Sequence, residues 1–103
     1  MSAGDPLEGR KSDTGKRRFS LFPLEAVFAI VDVLEYGARK YAPGNWRHVS
    51  NAKQRYYDAA MRHLMAWGSD EKLDSESGHP HLAHAACCLV FLIALELEPP
   101  KPG

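Results

Sequence analysis

The sequence predicts an all-α fold in which three main helices per chain assemble into an oligomeric helical bundle. Residues 23–41 and 51–67 repeat apolar side chains at the three-and-four spacing of one helix face, and residues 80–97 are apolar almost throughout. Proline or glycine stands near the ends of these segments, and no stretch has the alternating pattern of a half-buried strand. A chain of 103 residues is long enough for one domain and too short for two.

The predicted regions follow in order along the chain. Residues 1–18 are charged and turn-forming with no apolar period, so we expect a flexible N-terminal arm there. An all-α domain is expected over residues 19–98, followed by a C-terminal tail over residues 99–103. The first helix is expected to begin near Pro23, which suits a first helical turn, and to end before a Pro-Gly pair that forces a turn.

Glu35 is the residue of the first helix that most needs an explanation. Its helical position places it between Phe28 and Val31 on the face predicted to be buried, which comprises Leu24, Val27, Phe28, Val31, Leu34 and Ala38. A carboxylate on a buried face must be paired, protonated or bound to a metal. Two roles are possible for Glu35. It could form an ion pair with a cationic residue of a neighbouring helix, or it could act as a metal ligand or catalytic residue, and we prefer the metal or catalytic role.

The other two helices also carry polar residues on faces predicted to be buried. His63 lies among apolar residues of the second helix, and His81 and His84 lie along one side of the third. A lone inward histidine often does no more than hydrogen-bond in a core, and His81 is close enough to the helix start to act as a cap. Three helices that each carry such a residue nevertheless predict a site.

The third helix must be surrounded because it is apolar on every side. Two further helices from the same chain are too few to surround it. We therefore predict a homo-oligomer, a dimer or a tetramer, in which helices from two protomers complete a bundle.

Composition narrows the class of protein. Lysine plus arginine and aspartate plus glutamate number 13 each, so no nucleic-acid partner is expected. Adjacent Cys87 and Cys88 cannot easily pair with each other and fit a reducing compartment. The longest apolar run, residues 85–95, is well short of the ~20 residues that cross a bilayer. These features predict a cytoplasmic protein with no membrane partner.

Several short runs resemble a known family. They are Lys11-x-Asp13-x-Gly15-Lys16, Leu34-Glu35-Tyr36-Gly37-Ala38-x-Lys40-Tyr41, Asn45-Trp46, Tyr57-Asp58-Ala59-Ala60-x-Arg62-His63-Leu64, Asp74-x-x-x-Gly78 and His81-Leu82-Ala83-His84-Ala85-Ala86. Together they look like the dATP/dGTP diphosphohydrolase N-terminal family of phages and prophages. That family is similar to the MazG-like all-α nucleoside triphosphate pyrophosphohydrolases.

The resemblance implies a divalent metal cofactor, Mg²⁺ or Mn²⁺, and cleavage of a nucleotide between its α and β phosphates. MazG-like enzymes usually carry Glu-x-x-Glu and Glu-x-x-Asp motifs, whereas the matching helices here carry Ala60-x-x-His63 and His81-x-x-His84. Imidazole in place of carboxylate favours softer ions such as Mn²⁺, Ni²⁺ or Zn²⁺.

Site residues are predicted on this basis. Glu35, His63 and His84 are expected to hold the ion, with Asp74 or His81 completing the ligand shell and Glu35 and His63 as the catalytic residues. A solvated position that caps the third helix is the alternative for Asp74.

Substrate contacts are assigned to Lys16, Lys40, Asn45, Trp46 and Arg62. Cationic side chains bind phosphate oxygens, and an amide can read a purine edge. For Trp46, stacking on a base competes with anchoring its loop to the core.

The sequence thus predicts a metal-dependent hydrolase that converts a purine nucleoside triphosphate to the monophosphate and pyrophosphate. The rival hypothesis is a non-catalytic metal- or nucleotide-binding oligomerisation module, favoured by the loss of the usual carboxylates.

Overall fold

The computed structural model describes residues 9–99, which form three long helices. Helix α1 spans Leu24–Lys40, α2 spans Ala52–Gly68 and α3 spans His81–Leu97. Single 3₁₀ turns, Phe19–Leu21 and Asn45–His48, precede α1 and α2. Within residues 9–99 there is no strand, so the predicted all-helical class is confirmed.

Helix α3 is the central element because α1 and α2 both pack mainly on it. Its small residues Ala83, Ala85, Cys87 and Cys88 are buried, and small side chains allow neighbouring helices to approach closely. Both cysteines are free thiols, and burial raises the pKa of Cys87 to about 12. Thiols with raised pKa values in an apolar setting are inert, which supports their reading as core residues.

The prediction that Glu35 lies on the buried face of α1 is wrong for the single chain. Val33 is the buried residue of α1, and it packs with Ala83 and Cys87 of α3. The Glu35 side chain is 67% exposed and lies 3.9 Å from the guanidinium of Arg39 one turn on. Periodicity gave the wrong face because α1 is apolar on two opposite sides, and the outer side also repeats at three-and-four spacing.

Two regions expected from the sequence lie partly outside the described residues. The arm over 1–18 is described only from residue 9, where residues 9–18 are exposed and contain a turn closed by the Lys16 amide donating to the Asp13 carbonyl at 3.0 Å. The tail over 99–103 is described only at residue 99. Within the described part of the chain, no helix is both long and apolar enough to cross a membrane.

Candidate metal centre

The connection between α2 and α3 is folded into a tight, hydrogen-bonded loop. Leu73 and Pro80 form an isolated antiparallel bridge, and the Asp74 amide donates to the His79 carbonyl at 2.8 Å. The Gly78 amide donates a hydrogen bond to the Asp74 carbonyl at 2.7 Å. Gly78 has φ +76°, a backbone conformation that favours glycine. This loop holds the Asp74 side chain beside the first turns of α3.

Three histidines from two helices meet next to this loop. The Nδ1 atoms of His63 and His81 are 2.8 Å apart, so one ring donates to the other. The rings of His63 and His84 stack, with centroids 4.6 Å apart and planes 10° from parallel. Helix α2 thus contributes one imidazole and α3 contributes two, one turn apart on the same face.

A carboxylate completes the cluster. Asp74 Oδ2 lies 3.9 Å from His84 Nε2, and ligand atoms of His63, Asp74 and His81 all lie within 4.8 Å of one another. Burial opposes ionisation of Asp74, but hydrogen bonding from Ser77 outweighs it and the pKa of the carboxyl is lowered. The cluster therefore contains an anionic oxygen ligand at neutral pH.

Ser77 is a residue of the site that the sequence reasoning missed. Its amide donates to Asp74 Oδ2 at 2.8 Å, and its hydroxyl lies 2.7 Å from His84 Nε2 and accepts from the His79 amide at 3.2 Å. The Asp74-x-x-Ser77 spacing is a signal for such a side-chain-to-backbone turn. Ser77 thereby fixes the relative positions of the carboxylate and one imidazole.

One polar atom of the cluster has no hydrogen-bond partner. His81 is 5% exposed, and its Nε2 atom is buried without one. Glu71 Oε1 is 3.5 Å from this nitrogen, at the outer limit of hydrogen-bond length, and no hydrogen bond joins the two atoms. Leaving such an atom unpaired costs about 1–3 kcal/mol, so His81 Nε2 is suited to bind a ligand.

The electrostatic setting keeps two of the imidazoles neutral. Burial lowers the pKa of His63, and the neighbouring His84 and His81 lower it further. Burial also lowers the pKa of His84, although Asp74 acts in the opposite direction. Neutral imidazole is the form that binds metal ions, so both rings have the required protonation state at pH 7.

These pKa shifts predict how stability depends on pH. We expect the ion-free protein to lose stability as the pH falls below about 6.5, the usual pKa of histidine, because the unfolded chain takes up protons that folded His63 and His84 resist. Urea unfolding at several pH values measures this. His63→Gln should flatten the profile, and an unchanged profile in that variant would contradict the assignment.

The structure does not bring every predicted site residue to this cluster. Glu35 lies on the opposite, exposed side of α1, and Lys16, Asn45 and Arg62 are exposed. Lys40 pairs with Glu76 of the loop, and this hydrogen bond raises the pKa of the lysine. The histidine cluster therefore collects His63, Asp74, His81 and His84 only.

Trp46 is anchored to the helices. Its indole stacks on Phe91 of α3 at a centroid distance of 4.7 Å, with planes 12° from parallel. The guanidinium of Arg47 lies 4.3 Å from the centre of the same indole and donates to Glu98 at 2.8 Å. Trp46 therefore anchors its loop to the helices, as one of the two alternatives proposed. Its stacking on a nucleotide base stays a prediction.

Trp46→Ala is expected to lower the free energy of unfolding by about 1–3 kcal/mol, because a half-buried indole and its aromatic contact are lost. Chemical denaturation followed by circular dichroism measures the change. Trp67→Ala is the control. Trp67 is 47% exposed, so its replacement should lower the free energy of unfolding by less. Equal losses in the two variants would show that the stack adds nothing.

The fold and the cluster define a class: a three-helix protein with an imidazole-rich, metal-competent centre between two helices and a loop. Residues 6–101 match the family described as dATP/dGTP diphosphohydrolase, N-terminal, and the chain belongs to that family. It is 34% identical over 89 residues to a dATP/dGTP diphosphohydrolase of Salmonella phage PMBT28. That match covers 86% of this chain but only 30% of the phage protein, and no solved structure matches the chain.

Proposed function

We propose that this chain supplies the metal-binding part of a nucleotide diphosphohydrolase that converts a purine deoxynucleoside triphosphate to its monophosphate and pyrophosphate. The observation that carries this proposal is the cluster of His63, Asp74 and His81, whose ligand atoms all lie within 4.8 Å of one another. Family membership and the name of the phage relative support hydrolysis of nucleotides in general. The reaction, the substrate and the metal requirement of this chain are part of the proposal.

The residues fit a divalent ion. His63, Asp74 and His81 would hold it, with His84 beside this set and not part of it, and a bound ion would neutralise phosphate charge and lower the pKa of a coordinated water. Among the chain's own residues, Ser77 orients Asp74 and His84. In our proposal, neutral His84 is the nearby group that accepts a proton.

Binding of the triphosphate is assigned to cations near the cluster. Lys40 is next to the loop but is paired with Glu76, so a phosphate group has to replace that carboxylate. Arg62 directly precedes His63 and is exposed, with no carboxylate partner among the ion pairs of residues 9–99. We keep Lys16, Asn45 and Trp46 as proposed contacts of the triphosphate substrate. Glu35 stays a proposed catalytic residue.

A homo-oligomer is part of the same proposal. Leu24, Phe28 and Val31 form an exposed apolar stripe on the outer side of α1, 44–62% exposed, and Glu35 continues it. A second copy packed on this α1 stripe would cover it and bring Glu35 into an interface.

The test is a product screen. Purified protein is incubated with each common ribo- and deoxynucleoside triphosphate and with Mg²⁺, Mn²⁺ or Zn²⁺, and the products are separated by chromatography. We expect dAMP or dGMP together with pyrophosphate. Release of inorganic phosphate alone would contradict cleavage between the α and β phosphates, and survival of every triphosphate would contradict catalysis by this chain.

The second candidate is a non-catalytic metal- or nucleotide-binding oligomerisation module. Its support is that the chain spans 30% of the length of the phage relative, which leaves most of that protein to carry the chemistry. The exposed apolar residues of all three helices agree with a module that assembles with other copies. Tight nucleotide binding without product would favour this candidate.

A further inference from the structure

The four residues of the cluster belong to three separate parts of the chain. His63 comes from α2, Asp74 from the loop, and His81 and His84 from α3. Ligands around one tetrahedral ion with bonds of about 2.1 Å are about 3.4 Å apart. The three ligand atoms within 4.8 Å of one another therefore need only small side-chain movements to reach that arrangement.

The composition of the cluster discriminates among ions. Mg²⁺ requires oxygen ligands and near-octahedral geometry, and the group of His63, Asp74 and His81 offers one carboxylate against two imidazoles. Imidazole suits Zn²⁺, Ni²⁺ and Cu²⁺, and affinity at nitrogen-containing sites rises from Mn²⁺ towards these later ions.

The degree of burial also points to a particular kind of site. The side chains of His81, His84 and Asp74 are 7%, 14% and 20% exposed. An ion bound to ligands this buried holds the surrounding elements together, as in structural zinc sites, and a set of three protein ligands still leaves the fourth position of a tetrahedral ion open. His81 is the most buried of the three: its Nδ1 faces His63 at 2.8 Å, and its Nε2, which has no hydrogen-bond partner, lies 3.5 Å from Glu71 Oε1.

We propose that His63, Asp74 and His81 bind one late first-row ion, Zn²⁺ rather than Mg²⁺, and that this ion fastens α2 and the loop to the start of α3. The inference rests on the metal site of the proposed function but not on hydrolysis. It names the ion and adds a stabilising role. Binding to the folded state alone then raises the melting temperature, by about 10 °C or more at 100 times the dissociation constant.

The experiment uses the full chain after removal of metals by chelation. Zn²⁺, Mn²⁺ and Mg²⁺ are titrated separately by calorimetry, and thermal unfolding is recorded with each ion. We expect one Zn²⁺ per chain, a higher melting temperature with Zn²⁺, weaker effects of Mn²⁺ and none of Mg²⁺ at millimolar concentration. Binding of Mg²⁺ as tight as that of Zn²⁺, or Zn²⁺ binding that leaves the melting temperature unchanged, would overturn the proposal.

Variants separate this site from adventitious binding. His81→Ala should abolish the Zn²⁺ effect, and His63→Gln should weaken binding at least ~10-fold while its amide keeps a hydrogen bond to His81, so that the fold is retained. His48→Gln is the matched control, because His48 is exposed in the turn before α2. Equal Zn²⁺ binding by His63→Gln and His48→Gln would refute the assignment.

The two proposals fail separately. Zn²⁺ binding and stabilisation without any nucleotide product would support this inference and remove the hydrolase. Hydrolysis that needs only Mg²⁺, with no binding of Zn²⁺, would support the hydrolase and refute the zinc site.

Discussion

Asp74→Asn is expected to reduce the rate of deoxynucleoside triphosphate hydrolysis about 100-fold or more while the helical content stays unchanged. The asparagine oxygen can still accept from the Ser77 amide, which donates to Asp74 Oδ2 at 2.8 Å, so the loop is preserved. What is lost is the anionic ligand beside three imidazoles, and weakening a ligand of a metal site lowers affinity and activity strongly. Steady-state rates under saturating ion concentration measure the effect.

A matched control is available in the same loop. Asp70 has φ +73°, a backbone conformation that asparagine tolerates well, and it is exposed. Asp70→Asn therefore changes the net charge equally and should leave the rate unchanged. If Asp74→Asn and Asp70→Asn are both fully active, Asp74 is not part of a functional metal centre.

Disrupting the α1 stripe is the second change with a large expected effect. The double variant Phe28→Asp with Val31→Asp should convert the proposed dimer to monomers, because two charges replace apolar side chains that are 62% and 44% exposed in the single chain. Light scattering coupled to size exclusion measures the mass directly.

The control for this variant is Asp32→Lys. Asp32 is exposed on the same helix beside the stripe, and the substitution alters net charge by the same amount with opposite sign. It should leave the mass unchanged. A wild-type protein that is already monomeric at high concentration would contradict the proposed assembly, and dissociation by Asp32→Lys as well would point to a general charge effect.

The helices could be predicted from sequence because each signal is local. Residues 23–41, 51–67 and 80–97 were expected, and Leu24–Lys40, Ala52–Gly68 and His81–Leu97 are observed. Proline or glycine near the ends and apolar periodicity act within a few residues, so no tertiary information was needed.

The site was only partly predictable, for a physical reason that differs between residues. His63, His81 and His84 stand among apolar residues of α2 and α3, so their inward placement followed from the sequence pattern. The exposed position of Glu35 could not be predicted in the same way. Helix α1 has two apolar faces, and contact with Ala83 and Cys87 of α3 determines which of them is buried. The role of Ser77 depends on a loop closed by hydrogen bonds to backbone amides, and the spacing of apolar residues carries no information about such a loop.

The most direct test of the central claim relates activity to occupancy of the histidine cluster. Metal-free protein is loaded with increasing amounts of ion, and at each step the bound ion per chain and the rate of dATP and dGTP hydrolysis are measured together. We expect a rate that rises in proportion to occupancy and levels off at one ion per chain, with no rise in His81→Ala. A rate independent of occupancy, or an equal rise in His81→Ala, would contradict that claim.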